Sequence, residues 1–418
     1  MSADPAILLD VSRLISRLGM GPATGIDRVE AEWLGHLDQG GRPYLLLARV
    51  RRAQLLLPRE AGRVILDWLD GKLEGLPPAA LIDRLRGRQD ARLRAEVALR
   101  RMALKTADPS GRGIAGAARA ILGEGATYLS TGHSNLSDSL LSNLAPLRRV
   151  VMIHDTIPLD HPEYTRAGQS EKFAQRFGAV LRHADLLLAI SQATRADVIR
   201  WRERMGLPAR ADIAVAPIGT RLVEASALPD VVQVARPFFV TLGTIEPRKN
   251  HALLLEAWKI IADRLPPGEA PALVIIGRRG WENHETFARL DACPEAGPIA
   301  ELSGLDDGAV AALVGQAQAL LMPSRAEGFG LPYTEAAARG VPVICAPLAA
   351  AREVLGDYAC YLSPDRPDLW AEEIMRRTAA PAPRQTPLAV PQWDTHFALV
   401  DGFMREGLRA GAATAMPN

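Results

Sequence analysis

Short apolar runs alternate with amphipathic helical patterns along most of these 418 residues, and the alternation occurs twice. In the first part the runs are Ile7 to Asp10, Tyr44 to Ala48, Thr127 to Ser130, Arg149 to Ile153 and Leu186 to Ile190, with Ala214 to Ile218 as a last strand. In the second they are Phe238 to Leu242, Leu273 to Ile276, Ala319 to Met322 and Val343 to Cys345. A strand that is apolar on both faces has to be covered on both, and strand–helix alternation supplies that cover as a parallel sheet between helix layers. The length is also too great for one ordinary core. The expectation is therefore an α/β chain of two Rossmann-like, doubly wound domains, residues 1–228 and 229–385. Residues 386–418 follow: the proline- and alanine-rich stretch Ala379 to Pro391 leads through Trp393 to the helical pattern Phe397 to Leu408, which is expected to cross back to the first domain. Thr220 to Arg236 has mixed polarity without a period and reads as the linker, and Gly411 to Asn418 reads as frayed.

Composition narrows the class. With 48% apolar and 23% charged residues the chain is of ordinary globular type. No apolar run is longer than a strand or a core helix, and Ala6 to Leu9 is too short for the core of an export signal, so neither a leader nor a membrane-spanning helix is expected. Cys293, Cys345 and Cys360 are far apart and lack CxxC spacing. That argues for a reducing cytoplasm, no zinc site and no disulfide framework. Charge is near balance overall, with basic residues in excess in the first half. Many of them lie in Leu81 to Lys105, where Arg84, Arg86, Arg88, Arg92, Arg94, Arg100 and Arg101 interleave with Leu85, Leu93, Val97, Leu99 and Leu104. This reads as one basic amphipathic helix, resting either on an anionic membrane surface or on its own domain. No aromatic residue interleaves with the arginines, which argues against nucleic acid.

The residues suited to chemistry cluster at predicted strand ends. After Ala319 to Met322 comes Pro323-Ser324-Arg325-Ala326-Glu327-Gly328-Phe329-Gly330-Leu331-Pro332-Tyr333-Thr334-Glu335, two carboxylates eight positions apart around a glycine turn, with a helix expected from Thr334. Strand, glycine turn and helix start make an anion site, with Glu327 and Glu335 available to sugar hydroxyls; the other reading is a solvated loop. After Phe238 to Leu242, Gly243 to Asn250 sets Arg248 and Lys249 at a strand's carboxyl end before the helix Ala252 to Ile261. Ligands of open α/β sheets bind at that edge, and adjacent cations there suit a diphosphate. In the first part His154 follows Arg149 to Ile153, either as a hydrogen-bonded structural histidine or as a cleft residue. Asp155, Asp160, His161 and Glu163 make the segment look like a metal cluster in composition, but a proline and the missing i, i+4 histidine pair argue against metal. Near the start, Gly19 to Glu30 offers Gly21, Thr24 and Gly25 as a phosphate-approaching loop or as a plain helix cap. Ser130 to Asn135 is a further polar strand end that could face the cleft, and Asp306-Asp307 reads as a helix cap. Walker A, GxSxG, HExxH and GxGxxG patterns are absent.

Three segments then carry a resemblance. Gly243 to Asn250, the PSxxEGFGLPxxEAxAxGxPV run from Pro323 to Val343, and Glu353-Val354-Leu355-Gly356-Asp357 together resemble the second domain of retaining family 4 glycosyltransferases of the GT-B fold. The Glu327 and Glu335 pair is similar to that family's E-x7-E motif. The resemblance implies that Glu327 contacts the donor sugar, Glu335 the nucleotide ribose, and Arg248 and Lys249 the diphosphate, with support from the amides of Gly328, Phe329 and Gly330. His154, in an HDxIPL-like segment, would lie on the acceptor side near the reacting centre. The glycines near the amino terminus depart from the family's shorter double-glycine loop. No cofactor or metal is implied, the two cations taking the metal's place. The HDTIPL and GTIEPRKN segments resemble bacterial mannosyltransferases of polysaccharide and lipopolysaccharide assembly. That favours GDP-mannose over UDP-glucose or a dTDP-linked deoxysugar, with a saccharide or lipid-linked acceptor. A catalytically silent nucleotide-sugar-binding assembly protein is the competing class.

Overall fold

The structure is a computed structural model and describes residues 4–21, 23–228, 237–266, 268–294, 297–380 and 384–406. Two open sheets form its frame. The first has the order β4-β3-β2-β1-β5-β6-β7-β8. Its strands are β1 (Ile7–Asp10), β2 (Tyr44–Val50), β3 (Ala53–Leu57), β4 (Lys105–Ala107), β5 (Thr127–Ser130), β6 (Arg148–Ile153), β7 (Leu186–Ala189) and β8 (Asp212–Val215). The second has the order β11-β10-β9-β12-β13-β14. It is built from β9 (Phe238–Leu242), β10 (Ala272–Ile276), β11 (Ile299–Leu302), β12 (Leu320–Met322), β13 (Val343–Cys345) and β14 (Cys360–Tyr361).

Side-chain alternation explains the layers. Ile7 and Leu9 of β1 enter one apolar cluster and Leu8 enters another on the opposite face, while Val240 and Phe239 of β9 divide in the same way. Both faces are thus covered, as a parallel strand requires, and all four residues of β7 are buried. The helix Trp393–Glu406 lies on the first sheet, contributing Phe397, Val400 and Met404 to the cluster that holds Trp33. The Trp33 indole donates to His396 Nε2 at 3.2 Å across that contact.

Several expectations change. The first sheet is not wholly parallel, because β3 runs antiparallel to β2 and β4 antiparallel to β3. The β2–β3 turn consists of Arg51 and Arg52, the latter at φ 61°, so it lacks the glycine or asparagine that marks a hairpin in sequence. The strand expected at Ala214 to Ile218 pairs instead as β8, Asp212–Val215. The basic stretch is two helices, Leu81–Leu85 and Ala91–Met102, separated where Gly87 adopts φ 68° and Asp90 caps the second by accepting from Leu93 N at 3.1 Å. The longer helix packs Leu93, Ala95 and Leu99 inward, whereas Leu81 and Leu85 are exposed. Of the expected linker, residues 229–236 lie outside the described residues, as does Gly411 to Asn418, and residues 221–228 contain neither helix nor strand. Among the described residues no helix is long and apolar enough to cross a membrane.

Candidate active site

The order of the second sheet reverses at β9, which is flanked by β10 and β12. Such a reversal opens a crevice at the strands' carboxyl ends. Both sequence-predicted segments leave from it, Gly243 to Asn250 after β9 and Pro323 to Gly330 after β12. The loops after β9 and β10 meet so closely that a Cβ on Gly277 would stand 2.0 Å from the Gly243 carbonyl oxygen. Arg248 and Lys249 sit in the 3₁₀ turn Pro247–Lys249, directly before the helix His251–Arg264, whose cap Asn250 is in the left-handed region at φ 57°. The Asn250 side chain donates to the carbonyls of Pro323 (3.2 Å) and Pro364 (2.9 Å), and Arg325 N donates to the Arg248 carbonyl (2.9 Å). These bonds fix one segment on the other.

The result is a buried ionic cluster. Lys249 Nζ donates to Glu327 Oε1 at 2.5 Å, and Arg248 Nη1 donates to Glu327 Oε2 at 3.0 Å and to the Ala326 carbonyl at 2.7 Å. On its other edge Arg248 Nη2 donates to Glu246 at 2.9 Å. Burial would push the Glu327 carboxyl up, but the charges of Lys249 and Arg248 outweigh it and bring its pKa down to about 2. Burial lowers Lys249, against the attraction of Glu327 and with the repulsion of Arg248. Glu327 is therefore an ionised carboxylate with two cations, and neither cation is idle.

Glycine lets the two halves touch here. A Cβ on Gly328 would lie 2.3 Å from the His154 carbonyl oxygen and 3.1 Å from Asp155 Cβ, while Ser191 Oγ donates to the Gly328 carbonyl at 3.2 Å. Phe329 is 4% exposed and its side chain belongs to the apolar cluster of the first sheet, while the residue also lines the cavity described below. Gly330, at φ 89°, starts the helix Leu331–Ala337, three residues earlier than expected, so Glu335 lies in its second turn. Glu335 accepts from Arg28 Nη1 at 3.1 Å, and Arg28 Nη2 donates to Asp307 at 2.7 Å. Burial raises the Glu335 pKa, opposed by Arg28.

On the first sheet's side His154 follows β6. It is 4% exposed, and its Nε2 donates to the Thr131 carbonyl at 2.7 Å. Because a carbonyl only accepts, Nε2 carries the proton and Nδ1 is left as an acceptor. Burial lowers the pKa to about 4, so the ring is neutral at physiological pH. The neighbouring residues do not converge: Asp160 binds Arg200 and Thr156, and His161 faces Glu163. Ser130 to Asn135 turns inward, with Asn135 bonded to Asp10 and Gln54 and His133 Nε2 donating to the Met152 carbonyl at 2.7 Å. Asp306 caps the helix Asp307–Gln316, as expected.

These groups surround a cavity of about 530 Å³ whose wall includes His154, Asp155, Arg248, Lys249, Glu327 and Glu335. Thr24 and Gly25 border it, and Thr24 is also the cap residue of the helix Gly25–Gln39, where Asp27 accepts from its backbone N–H and hydroxyl at 2.7 Å each. The two readings of that segment are thus compatible. Gly21 borders an adjoining chamber instead. Sequence reasoning missed Arg13 and Arg28, which reach the cavity from the first half. No local pattern marks either, since Arg28 meets its partner 307 positions away.

Known proteins resemble this chain in sequence and in fold. Residues 231–384 match the family profile described as glycosyl transferases group 1. The serotype-specific mannosyltransferase WbdA of Escherichia coli is 30% identical over 237 residues, covering 53% of this chain and 29% of that protein. O-antigen chain mannosyltransferase B of Escherichia coli is 28% identical over 236 residues, 55% of this chain and 61% of that one. The chain thus spans less than two thirds of either relative. Sucrose-phosphate synthase from Thermosynechococcus elongatus superimposes with a TM-score of 0.60 over 96% of this chain and 98% of its own, at 16% identity. That likeness establishes the GT-B fold.

Proposed function

We propose that this chain, whose residues 231–384 match the profile of the group 1 glycosyl transferases, moves a mannosyl residue from GDP-mannose to a saccharide or lipid-linked saccharide in cell-surface polysaccharide synthesis, with retention at the anomeric carbon. The observation that carries this reading is the Glu327–Arg248–Lys249 cluster, buried at the sheet reversal and bordering a cavity large enough for a nucleotide sugar. A diphosphate would draw Arg248 and Lys249 toward itself, because two phosphate groups offer them more charge than one carboxylate. Glu327, released from its partners, would then accept from donor-sugar hydroxyls. As the sugar–phosphate bond breaks, negative charge grows on the leaving diphosphate, and preplaced cations in a dry site stabilise it without reorganising. Glu335 would accept from the ribose hydroxyls once Arg28 withdraws. The neutral His154 would face the reacting centre from the first half with an acceptor nitrogen. The mannosyltransferase relatives favour mannose, and the donor base is the finest part of the proposal.

A lipid-linked acceptor places the protein at the cytoplasmic face of a membrane. The helix Leu81–Leu85 suits that setting, for Leu81 and Leu85 are 69% and 79% exposed beside the exposed Arg84, Arg86 and Arg88.

The test is thermal unfolding with GDP, UDP and dTDP and their sugars, followed by turnover. A ligand at 100 times its Kd stabilises the folded state by about 2.7 kcal/mol. GDP and GDP-mannose should raise the midpoint most, and Glu327→Ala should abolish transfer. A larger shift with UDP overturns the donor assignment. Binding of GDP with no turnover of GDP-mannose instead supports the catalytically silent assembly protein.

A further inference from the structure

A second chamber of about 440 Å³ opens on the far side of the Arg28–Glu335 bridge. It shares Arg28, Glu335, Asp307 and Leu331 with the first cavity, so that bridge is the partition between them. Most of the remaining wall comes from the first half, through Arg17 of the helix Ser12–Arg17, Glu32 of Gly25–Gln39, and Trp68 and Asp70 at the end of Glu60–Leu69, and the closing helix adds Trp393. Of the donor-site residues assigned above, Glu335 of the ribose site borders it, as does Gly21 of the amino-terminal loop, whereas Arg248, Lys249, Glu327 and His154 do not.

We propose that this chamber binds a neutral oligosaccharide, the part of the acceptor that lies beyond the residue being extended. The inference rests on the transferase reading above. Its size is within the range of small-ligand cavities, roughly 300–1,000 Å³. Its chemistry fits a pyranose, which has apolar C–H faces for an aromatic ring and a rim of hydroxyls that both donate and accept. Trp393 is half-buried and lies so close on Gly219 that a Cβ there would stand 2.4 Å from its Cγ, which leaves the indole little freedom to move. The polar groups are incompletely used. Arg17 Nε donates to Asp27 at 3.3 Å, and its Nη2 is buried with no hydrogen-bond partner among the described residues. Asp70 is exposed, and Glu32 pairs with Arg221, whose side chain is 74% exposed, at 3.2 Å. Five carboxylates border the chamber against three arginines, so an anionic ligand is disfavoured and a neutral one is not.

The experiment is saturation-transfer NMR on the full chain with α-linked mannotriose, in saturating GDP so that the donor cavity is filled. Wild type should give a GDP-insensitive signal, and Glu32→Gln/Asp70→Asn, which changes two surface-facing carboxylates, should weaken binding about fivefold or more. The variant's thermal midpoint should stay within a few degrees of wild type, showing that the fold is kept. Loss of the signal on adding GDP overturns the inference, because an acceptor subsite has to stay open beside a bound nucleotide. Equal binding by the double variant also overturns it. GDP-mannose turnover is measured alongside: if it persists while mannotriose fails, only the chamber is refuted, and if it is absent while the GDP-insensitive signal holds, the transferase reading fails and the chamber stands.

Discussion

Glu327 has an 8% exposed side chain and two cations in contact, so its ionisation is tied to the fold. Its pKa falls from the ordinary 4.5 to about 2 in the folded chain. A depressed carboxylate stabilises the fold above its unfolded pKa and loses that contribution as pH falls toward the folded value. The sign follows directly: the stability gap between wild type and Glu327→Gln should be widest at neutral pH and shrink as pH drops below about 4.5. By the rule of 1.36 kcal/mol per pKa unit the full change is at most about 3 kcal/mol. Urea midpoints of both proteins between pH 7 and pH 3 measure it, and parallel curves would refute the buried ion cluster. At neutral pH the variant leaves Arg248 and Lys249 without their shared partner, which costs a few kcal/mol in a buried setting. Gly328 obeys a different constraint, since its backbone fits against the His154 carbonyl only without a side chain.

Among the elements, the two basic helices separate functions that sequence pattern merged. Amphipathic spacing ran through Leu81 to Lys105, but periodicity does not register a single glycine in the left-handed region, and Gly87 breaks the stretch. The Ala91–Met102 helix then spends its apolar face on the core, and Arg100 and Arg94 are drawn back to the backbone carbonyls of Arg51 and Leu76. The short Leu81–Leu85 helix and the arginines next to it point outward with their leucines exposed as well, whereas on the longer helix Arg92 and Arg101 are exposed while Leu93 and Leu99 are buried. Each basic residue near an anionic surface contributes about 1 kcal/mol. Replacing Arg84, Arg86 and Arg88 with glutamine should therefore weaken binding to phosphatidylglycerol vesicles well over tenfold, and Arg100→Gln should not. Co-sedimentation at low and moderate salt checks this, and unchanged binding by the triple variant rejects the membrane contact.

Across the whole molecule, several side chains join the two halves. Arg28 bridges to Glu335 and Asp307, the Glu353 carboxylate accepts from Gln192 N (2.7 Å) and Ala193 N (3.1 Å) at the start of the helix Gln192–Arg204, and Phe329 enters the first sheet's core. The Arg28 bridge occupies the carboxylate assigned to the ribose. Under that assignment nucleotide binding has to displace Arg28, and Arg28→Met should tighten GDP binding severalfold. Titration calorimetry decides the matter: weaker binding would mean that Arg28 is itself a ligand of the nucleotide.

The alternation of apolar runs with helical patterns was enough to specify two helix-covered sheets, since a strand apolar on both faces has few other ways to leave water. The glycines and charges after Phe238 to Leu242 and after Ala319 to Met322 likewise marked one crevice, because strand ends are where such loops must emerge. Local sequence could not supply what depends on distant partners. The Arg51-Arg52 hairpin carries no turn residue that marks it, and the antiparallel edge depends on which strand lies alongside. Phe329 looked like part of the loop and became core only because a second sheet stands opposite. His154 acquired its tautomer from the Thr131 carbonyl, and Glu335 its partner from a helix at the other end of the chain. Strands and loops follow from periodicity and backbone preference over a few residues, but the ionisation, burial and pairing of a site are set by whatever the fold brings within a few ångströms, and that is decided only in the tertiary structure.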